Sequence, residues 1–396
     1  MTDISPAPTT RLISIDAFRA LIMILMIFVN DLWTLIDIPS WLEHVSADTD
    51  GMGLADVVFP AFLFIVGLSV PYAIESRKKK GDSDVRIFLH ILSRTIALIV
   101  MGLFLVNAEN YSDDAEVPRG IWMILLITAF FLLWLDYKSP QSGLVKILKG
   151  IGVVLLILLI STFETNDGDG ILAMEISWWG ILGLIGWAYF ISSSVYLFSK
   201  GKIWIQIVAL VFFVFFSSAN YLGWLESLAT IKNYVWISGD GSMPALSMAG
   251  ILTAMAYKEF TSKDRKFWIY TIAFAVLLIL FGVLTRPMWG ISKIKATPSW
   301  TTICAGIAIL GFLFTVYITD VKKIIAWYKP IKPAGTSTLT SYLLPYIHYA
   351  ILGTFWIQLP VFFRTGAMGL AKSMLYAILI VLATGLLEKR NIRLKI

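Results

Sequence analysis

Cysteine is almost absent from this sequence, which excludes two kinds of site. Cys304 is the single cysteine of the 396-residue chain, so neither a disulfide framework nor a cysteine-based metal centre can form within it. Histidine is nearly as scarce: His44, His90 and His348 are far apart, and none has a Glu or His three or four positions away. We therefore predict no metal site, and no nucleophile elbow is visible either.

Charged residues are also rare, and this scarcity points to a membrane protein. They make up 15% of the chain, against 58% hydrophobic residues, whereas a soluble domain has roughly 25% and 45–50%. The excess lies in apolar runs of about 17–23 residues, the length at which a helix crosses about 30 Å of hydrocarbon. The sequence predicts one all-α domain over residues 1–396, a polytopic transmembrane bundle of about ten to twelve helices.

Breaks between the apolar runs delimit the candidate helices. They cover 13–33, 54–75, 87–107, 120–136, 147–163, 177–198, 203–220, 243–257, 267–285, 300–319, 337–357 and 369–387. The eighth is short and rich in Gly and Met, so a re-entrant segment is an alternative there. Residues 1–12 are polar and precede a run long enough to remain as an anchor, so we expect a cytoplasmic tail and no cleavable signal peptide.

Lysine and arginine are distributed unevenly between the loops. If successive loops alternate sides, one side collects the basic segments 77–86, 258–266 and 322–332 and the tail 388–396, while the loops on the other side are mainly acidic. The positive-inside rule then places both termini in the cytoplasm. We expect the protein to lie in the inner membrane. The basic cytoplasmic loops also account for the net charge of +6. We therefore expect no nucleic-acid partner.

One outer segment, 286–299, departs from this pattern because it carries Arg286, Lys293 and Lys295. These charges are either tolerated in a loop or form a site for an anionic group near the outer end of the bundle. The glycine series Gly180, Gly183 and Gly186 lies in an apolar helix with no strand before it. That context favours close helix packing over a dinucleotide-binding turn.

Ionisable residues inside apolar segments are costly and indicate functional sites. Asp16 and Arg19 are three residues apart in the first helix, so they share a face and can pair; a structural ion pair at the inner interface is the alternative. His348 lies in the middle of a helix, where packing is the simpler interpretation. Together with Arg94, these residues would also suit the ion path of a transporter, although no inverted repeat supports that class.

Three polar residues converge at the outer mouth of the first two helices. Asn30 ends the first helix, His44 lies in the following loop, and Asp56 begins the second helix. His44 is the best candidate for chemistry, since imidazole accepts a proton near neutral pH; alone, a loop histidine is more often merely solvated. The convergence argues against a non-catalytic scaffold.

The same residues lie in segments that resemble a known family. RLISIDAFRALIMILMIFVN, GLADVVFPAFLFIVGLS, PALSMAGILTAMAYK and KIKATPSWTTICAGIAIL are similar to the heparan-α-glucosaminide N-acetyltransferase family. Its members are multi-pass enzymes that use cytosolic acetyl-CoA to acetylate an amino sugar on the far side of the membrane. The resemblance implies acetyl-CoA as co-substrate without a metal, an amino-sugar or glycan acceptor, contact with membrane lipid, and a homodimer.

The resemblance also implies roles for individual residues. Its catalytic histidine falls on His44, accompanied by Asn30 and Asp56. We assign cofactor binding to Asp16, Arg19, Arg286, Lys293 and His348; the outer basic segment contributes two of these. The family's Gly after the opening Arg is Ala20 here, and the stretch between His44 and Asp56 is about two residues longer than in the animal enzyme. These departures leave the acceptor open, so an O-acyltransferase acting on an envelope polysaccharide is an alternative, as is a transporter.

Overall fold

A computed structural model of the chain describes residues 12–165, 168–169, 174–175, 180–228, 230 and 237–396. Within these residues the chain forms thirteen α-helices. They are α1 (Ile13–Asp31), α2 (Leu54–Lys79), α3 (Asp84–Asn107), α4 (Arg119–Trp134), α5 (Gly143–Ser161), α6 (Ile181–Phe198), α7 (Ile203–Tyr221), α8 (Ser242–Phe260), α9 (Arg265–Trp289), α10 (Pro298–Val316), α11 (Tyr328–Thr336), α12 (Thr338–Thr354) and α13 (Gly366–Lys389). Two-residue strands, Glu164–Thr165 and Gly168–Asp169, pair before α6.

The predicted all-α bundle is confirmed, and each of the twelve predicted helices has a counterpart whose ends differ by about one turn at most. The predicted start of the sixth helix, 177–179, and most of the tail 1–12 lie outside the described residues. The short helix α11 was not predicted, because two prolines interrupt its nine residues. Nine of the described helices are long and apolar enough to span a membrane, judged by length and composition.

Helix α8 explains why its sequence suggested a re-entrant segment. It contains Ser242, Ser247 and Thr253, each fully buried, so its low hydropathy reflects contact with protein on most sides. Ser247 Oγ donates to the Leu63 carbonyl on α2 at 3.2 Å. The helix is complete and lies in the centre of the bundle.

Glycines allow the central helices to approach closely. A Cβ atom on Gly67 of α2 would lie 1.8 Å from the Ser247 carbonyl oxygen, and one on Gly250 of α8 would lie 2.0 Å from that of Phe64. Between α3 and α6, a Cβ on Gly102 would lie 2.4 Å from the Gly183 nitrogen. The predicted packing role of the glycine series in α6 is therefore confirmed.

Contacts between loops define the two ends of the bundle. At one end, called the His44 end, the Gly51 amide donates to the Ile291 carbonyl and Ile36 bridges to Thr365. At the opposite end, called the Arg19 end, Lys258 pairs with Glu75 at 2.6 Å. There Arg393 of the tail also pairs with Asp136, which follows α4, at 2.7 Å.

Replacing Gly67 with Leu should disrupt the α2–α8 contact, because the new side chain would overlap backbone atoms that cannot move aside. We expect a loss of stability of about 1–3 kcal/mol or more, measured as a lower midpoint of thermal unfolding in detergent. Gly150→Ala is the matched control, since no atom lies within 4 Å of its added Cβ. Equal melting of both variants would contradict the close-packing assignment.

Candidate active site

His44 is held by a carboxylate that also begins helix α2. Asp56 Oδ1 lies 2.7 Å from His44 Nδ1, while its Oδ2 accepts hydrogen bonds from the Val45 and Gly53 amides, each at 3.0 Å. The Asp56 side chain is 1% exposed, whereas that of His44 is 48% exposed. With Nδ1–H donated to Asp56, the imidazole keeps a lone pair on Nε2, the arrangement that a general base requires.

The local backbone makes this arrangement possible. Gly53 precedes α2, and a Cβ atom there would lie 2.0 Å from the Glu43 carbonyl oxygen, so only glycine lets the loop before His44 approach the helix. On the other side, the indole Nε1 of the fully buried Trp300 donates to the Asp56 carbonyl at 3.0 Å. The His44 loop, α2 and α10 are thus joined at one residue, the first through the Asp56 carboxylate and α10 through the Asp56 backbone carbonyl.

Lys293 enters the same cluster from the loop between α9 and α10. Its Nζ lies 3.1 Å from His44 Nδ1, 3.4 Å from His44 Nε2 and 4.0 Å from Asp56 Oδ1. Burial lowers the pKa of the Lys293 ammonium, and the nearby Asp56 carboxylate offsets only part of that effect. Lys293 therefore places its amino group in direct contact with the candidate base.

Arg286 fastens the loop that carries Lys293. Asp50 accepts hydrogen bonds from the Ile291 amide at 2.7 Å and from Arg286 Nε at 2.9 Å, and these bonds hold the pKa of its carboxyl below the usual value. Arg286 is thus paired on the outer surface and does not line either cavity described below.

A cavity of about 910 Å³ opens beside His44 and is called the His44 cavity. Its lining combines polar and aromatic side chains: Asn30, Trp33, Glu43, His44, Glu109, Lys293, Tyr342, Tyr346 and Tyr349, with Ile27, Val29, Leu32, Ala55, Ile181 and Pro345. The Asn30 side chain is exposed to this space and forms no hydrogen bond with any described residue. Its amide is free to bind a ligand.

A second cavity of about 300 Å³, the Arg19 cavity, lies toward the opposite end. Arg19, Arg94 and Lys395 line it together with mainly apolar residues. Ile181 and Tyr342 line both cavities, so the two spaces adjoin at these side chains.

The two arginines of this cavity are held differently. Arg19 Nη1 lies 2.9 Å from Asp16 Oδ1 and donates to the Gly335 carbonyl at 3.2 Å, while Nη2 donates to Ser69 Oγ at 2.6 Å. Asp16 itself is buried and lines neither cavity; it positions Arg19. The guanidinium of Arg94 lies over the Tyr189 ring at 4.8 Å, and its buried Nε has no hydrogen-bond partner among the described residues.

His348 lies away from both cavities. Its ring centroid is 4.9 Å from that of Tyr376 and 5.3 Å from that of Tyr349, and its buried Nδ1 has no partner among the described residues. The structure therefore brings Asn30, His44, Asp56 and Lys293 together but separates them from His348.

Several residues of the cavities were not predicted. Tyr342, Tyr346 and Tyr349 follow the helical spacing i, i+4, i+7, and that aromatic face was the signal that could have revealed them. Asp31 next to Asn30 is buried and accepts hydrogen bonds from Lys372 at 2.6 Å and from Tyr349 and Ser373. Asp31 thereby connects α1 to α12 and α13. Glu109, in the turn that follows α3, has no sequence feature that would have predicted a role in the cavity.

Part of the chain is similar in sequence to known proteins. The chain is 34% identical over 136 residues to heparan-alpha-glucosaminide N-acetyltransferase of Homo sapiens and 32% identical over 137 residues to that of Mus musculus. Each match covers 32% of this chain but only 19% of the relative, so it spans about a fifth of the length of these curated relatives. This similarity confirms the predicted resemblance.

A family model described as a domain of unknown function, DUF5009, matches residues 11–239. The match covers more than half of the chain and includes Asn30, His44, Asp56 and Glu109, and it ends before Lys293. The chain belongs to the DUF5009 family.

Proposed function

We propose that this protein is a membrane acetyltransferase that moves an acetyl group from acetyl-CoA, bound at the Arg19 end, to an amino group at the His44 end. The observation that carries the proposal is the His44 cavity, where a base oriented by a buried carboxylate faces the free amide of Asn30. Similarity to two N-acetyltransferases supports the reaction class. An amino sugar or glycan is the proposed acceptor.

The Arg19 cavity suits the nucleotide part of CoA. Arginine forms strong, charge-assisted hydrogen bonds with phosphate oxygens, and both Arg19 and Arg94 line this space. The unsatisfied Nε of Arg94 leaves one donor for a ligand. Asp16 would act in this site by holding Arg19.

The pantetheine arm would run from the Arg19 cavity into the His44 cavity. Arg19 and Asn30 are eleven residues apart on one helix, which corresponds to about 17 Å along its axis. An extended pantetheine arm covers a comparable distance. It would pass Ile181 and Tyr342, the residues common to both linings.

At the thioester, each group has a defined role. His44 Nε2 takes a proton from the acceptor amine as its nitrogen attacks the carbonyl carbon. The tetrahedral intermediate then collapses, the carbon–sulfur bond breaks, and the departing CoA thiolate takes the proton from His44. General-base assistance contributes roughly 10²–10⁴-fold in rate.

The developing oxyanion would be stabilised by the Asn30 amide and the Lys293 ammonium. The cofactor-binding role predicted for Lys293 would then be exerted at the thioester. One such donor contributes about 2.7–4 kcal/mol. In a ping-pong variant, His44 accepts the acetyl group itself, and trapping of acetyl-imidazole distinguishes this route.

We further propose that both termini and the Arg19 end face the cytoplasm, as the basic loops indicate, and that the protein resides in the inner membrane. The homodimer implied by the resemblance stays a prediction.

A transporter is the alternative function, and it would use the two adjoining cavities as a path. The response of the protein to acetyl-CoA distinguishes an acetyltransferase from a transporter. The enzyme should be thermally stabilised by acetyl-CoA and should release CoA when an amino sugar is added; a transporter should do neither.

Replacing His44 with Ala should lower acetyl transfer by at least about 10²-fold while leaving stabilisation by acetyl-CoA intact, because the base is removed without changing the Arg19 cavity. Transfer is measured with labelled acetyl-CoA and a panel of amino sugars. His90→Ala is the matched control, since His90 lines neither cavity. Full activity of the His44 variant would refute the assignment of the base.

Enlarging Ile181 should close the passage between the cavities. In Ile181→Trp, we expect acetyl transfer to fall at least about tenfold, since an indole at this position occupies the space that the pantetheine arm needs. Ile207→Trp on α7 is the control, because Ile207 is 48% exposed on the outside of the bundle. Unchanged transfer in the Ile181 variant, with a melting midpoint like that of the control, would rule out this route.

The lowered pKa of Lys293 predicts unusual reactivity. Acetic anhydride modifies neutral amines, so Lys293 should reach half-maximal labelling at a lower pH in the folded protein than in the denatured chain. Mass spectrometry of the peptide gives both midpoints. In Asp56→Asn the midpoint should fall further, because the carboxylate that favours the ammonium is gone; identical midpoints in the folded and denatured protein would contradict the burial of this cation.

A further inference from the structure

The charged groups of the His44 cavity divide into two sets. His44 and Lys293 contact each other and the buried Asp56. Glu43 and Glu109 line the same space, yet neither carboxylate forms an ion pair or hydrogen bond with any described residue. A carboxylate left free beside a candidate base is available to a ligand with cationic or hydroxyl groups.

Glu109 lies on a rigid turn that aims at this space. The turn Ala108–Asn110 follows α3 directly, and Ala108 is 1% exposed. Asn107 fixes its start: its amide donates to the Leu103 carbonyl at 2.8 Å and to the Glu175 carbonyl at 3.0 Å, and its Oδ1 accepts from the Glu175 amide at 3.0 Å. Such anchoring makes a side chain a good recognition group, because little freedom is lost on binding.

The wall shared with Glu109 supplies further groups suited to a sugar ring. The hydroxyls of Tyr342 and Tyr346 lie 3.1 Å apart, and both side chains line the His44 cavity. Trp33 lines it as well and is 74% exposed. Phenol hydroxyls bind sugar hydroxyls, and indole rings present a flat apolar face, so a carboxylate in this wall would meet the amino substituent of a bound sugar.

We propose that Glu109 is the residue that selects an amino acceptor over a neutral hydroxyl acceptor, by binding the ammonium form of the incoming sugar. The ammonium then releases one proton to solvent, and the neutral amine that results attacks the thioester with His44 as base. The inference rests on the proposed function, since it takes the His44 cavity as the acceptor site. An ammonium–carboxylate contact is charge-assisted, and partial burial strengthens it relative to water. A neutral sugar would leave the Glu109 carboxylate with no compensation beyond the partial one that Arg119 provides among the described residues, which is the kind of penalty that gives discrimination.

Binding measurements on the full-length protein in lipid nanodiscs test this role. Glucosamine and glucose form the probe pair, because they differ only in the amino group. The wild-type protein should bind glucosamine at least about tenfold more tightly than glucose, and Glu109→Gln should lose this preference. Glu109→Asp, which keeps the charge, should restore part of it, and Glu116→Gln, an exposed residue of the next loop, should retain all of it.

Kinetics separate this inference from the proposed function. If the wild-type protein transfers acetyl groups, Glu109→Gln should raise the KM for glucosamine about tenfold or more while kcat changes by less than about threefold. An unchanged KM, or an unchanged glucosamine preference in Glu109→Gln, would overturn the inference and leave the proposed function standing. A wild-type preference that depends on Glu109, without any acetyl transfer, would support the recognition role and overturn the reaction.

Discussion

Among the described residues, the Asp56 carboxylate is the group on which the geometry of the candidate site depends most. One of its oxygens accepts two backbone amides, which starts helix α2 and fixes the loop after His44, and the other orients the imidazole. Its own carbonyl accepts the Trp300 indole. Asp56 is buried, so water cannot take the place of a lost hydrogen bond. Loss of any of these bonds would leave an unpaired polar atom, which is costly. The base, the loop and two helices therefore share one anchor.

The arrangement of the bundle also depends on two close helix contacts, α2 against α8 and α3 against α6. Glycines on these helices allow the backbones to approach. These contacts hold α2, α3 and α6, which contribute residues to the cavity linings, close to the helices beside them. Small residues are what allow backbones to approach in a bilayer, where apolar side chains gain little from contact with one another.

The sequence predicts the helices well because apolar runs of membrane length are its strongest signal. The grouping of Asn30, His44 and Asp56 was also predictable, since they lie at the ends of two consecutive helices joined by a short loop. Lys293 could be recognised only as an exception to the charge pattern, because 249 residues separate it from His44. Glu109 could not be recognised at all, because its neighbours in the chain are ordinary loop residues. Its candidate role depends on the tyrosines of α12 that line the same cavity. The helix α11 was missed because its prolines disguise it.

The partition formed by Ile181 and Tyr342 has an electrical consequence. In the proposed orientation the two cavities would open toward opposite membrane faces, so the transmembrane potential would fall mainly across the layer between them, where moving one elementary charge corresponds to about 2.3 kcal/mol per 100 mV. The proposed cargo is a neutral acetyl group, and the phosphates of its carrier would stay with the arginines outside this layer. Under the proposed function, transfer would then proceed at the same rate in an energised and a de-energised membrane.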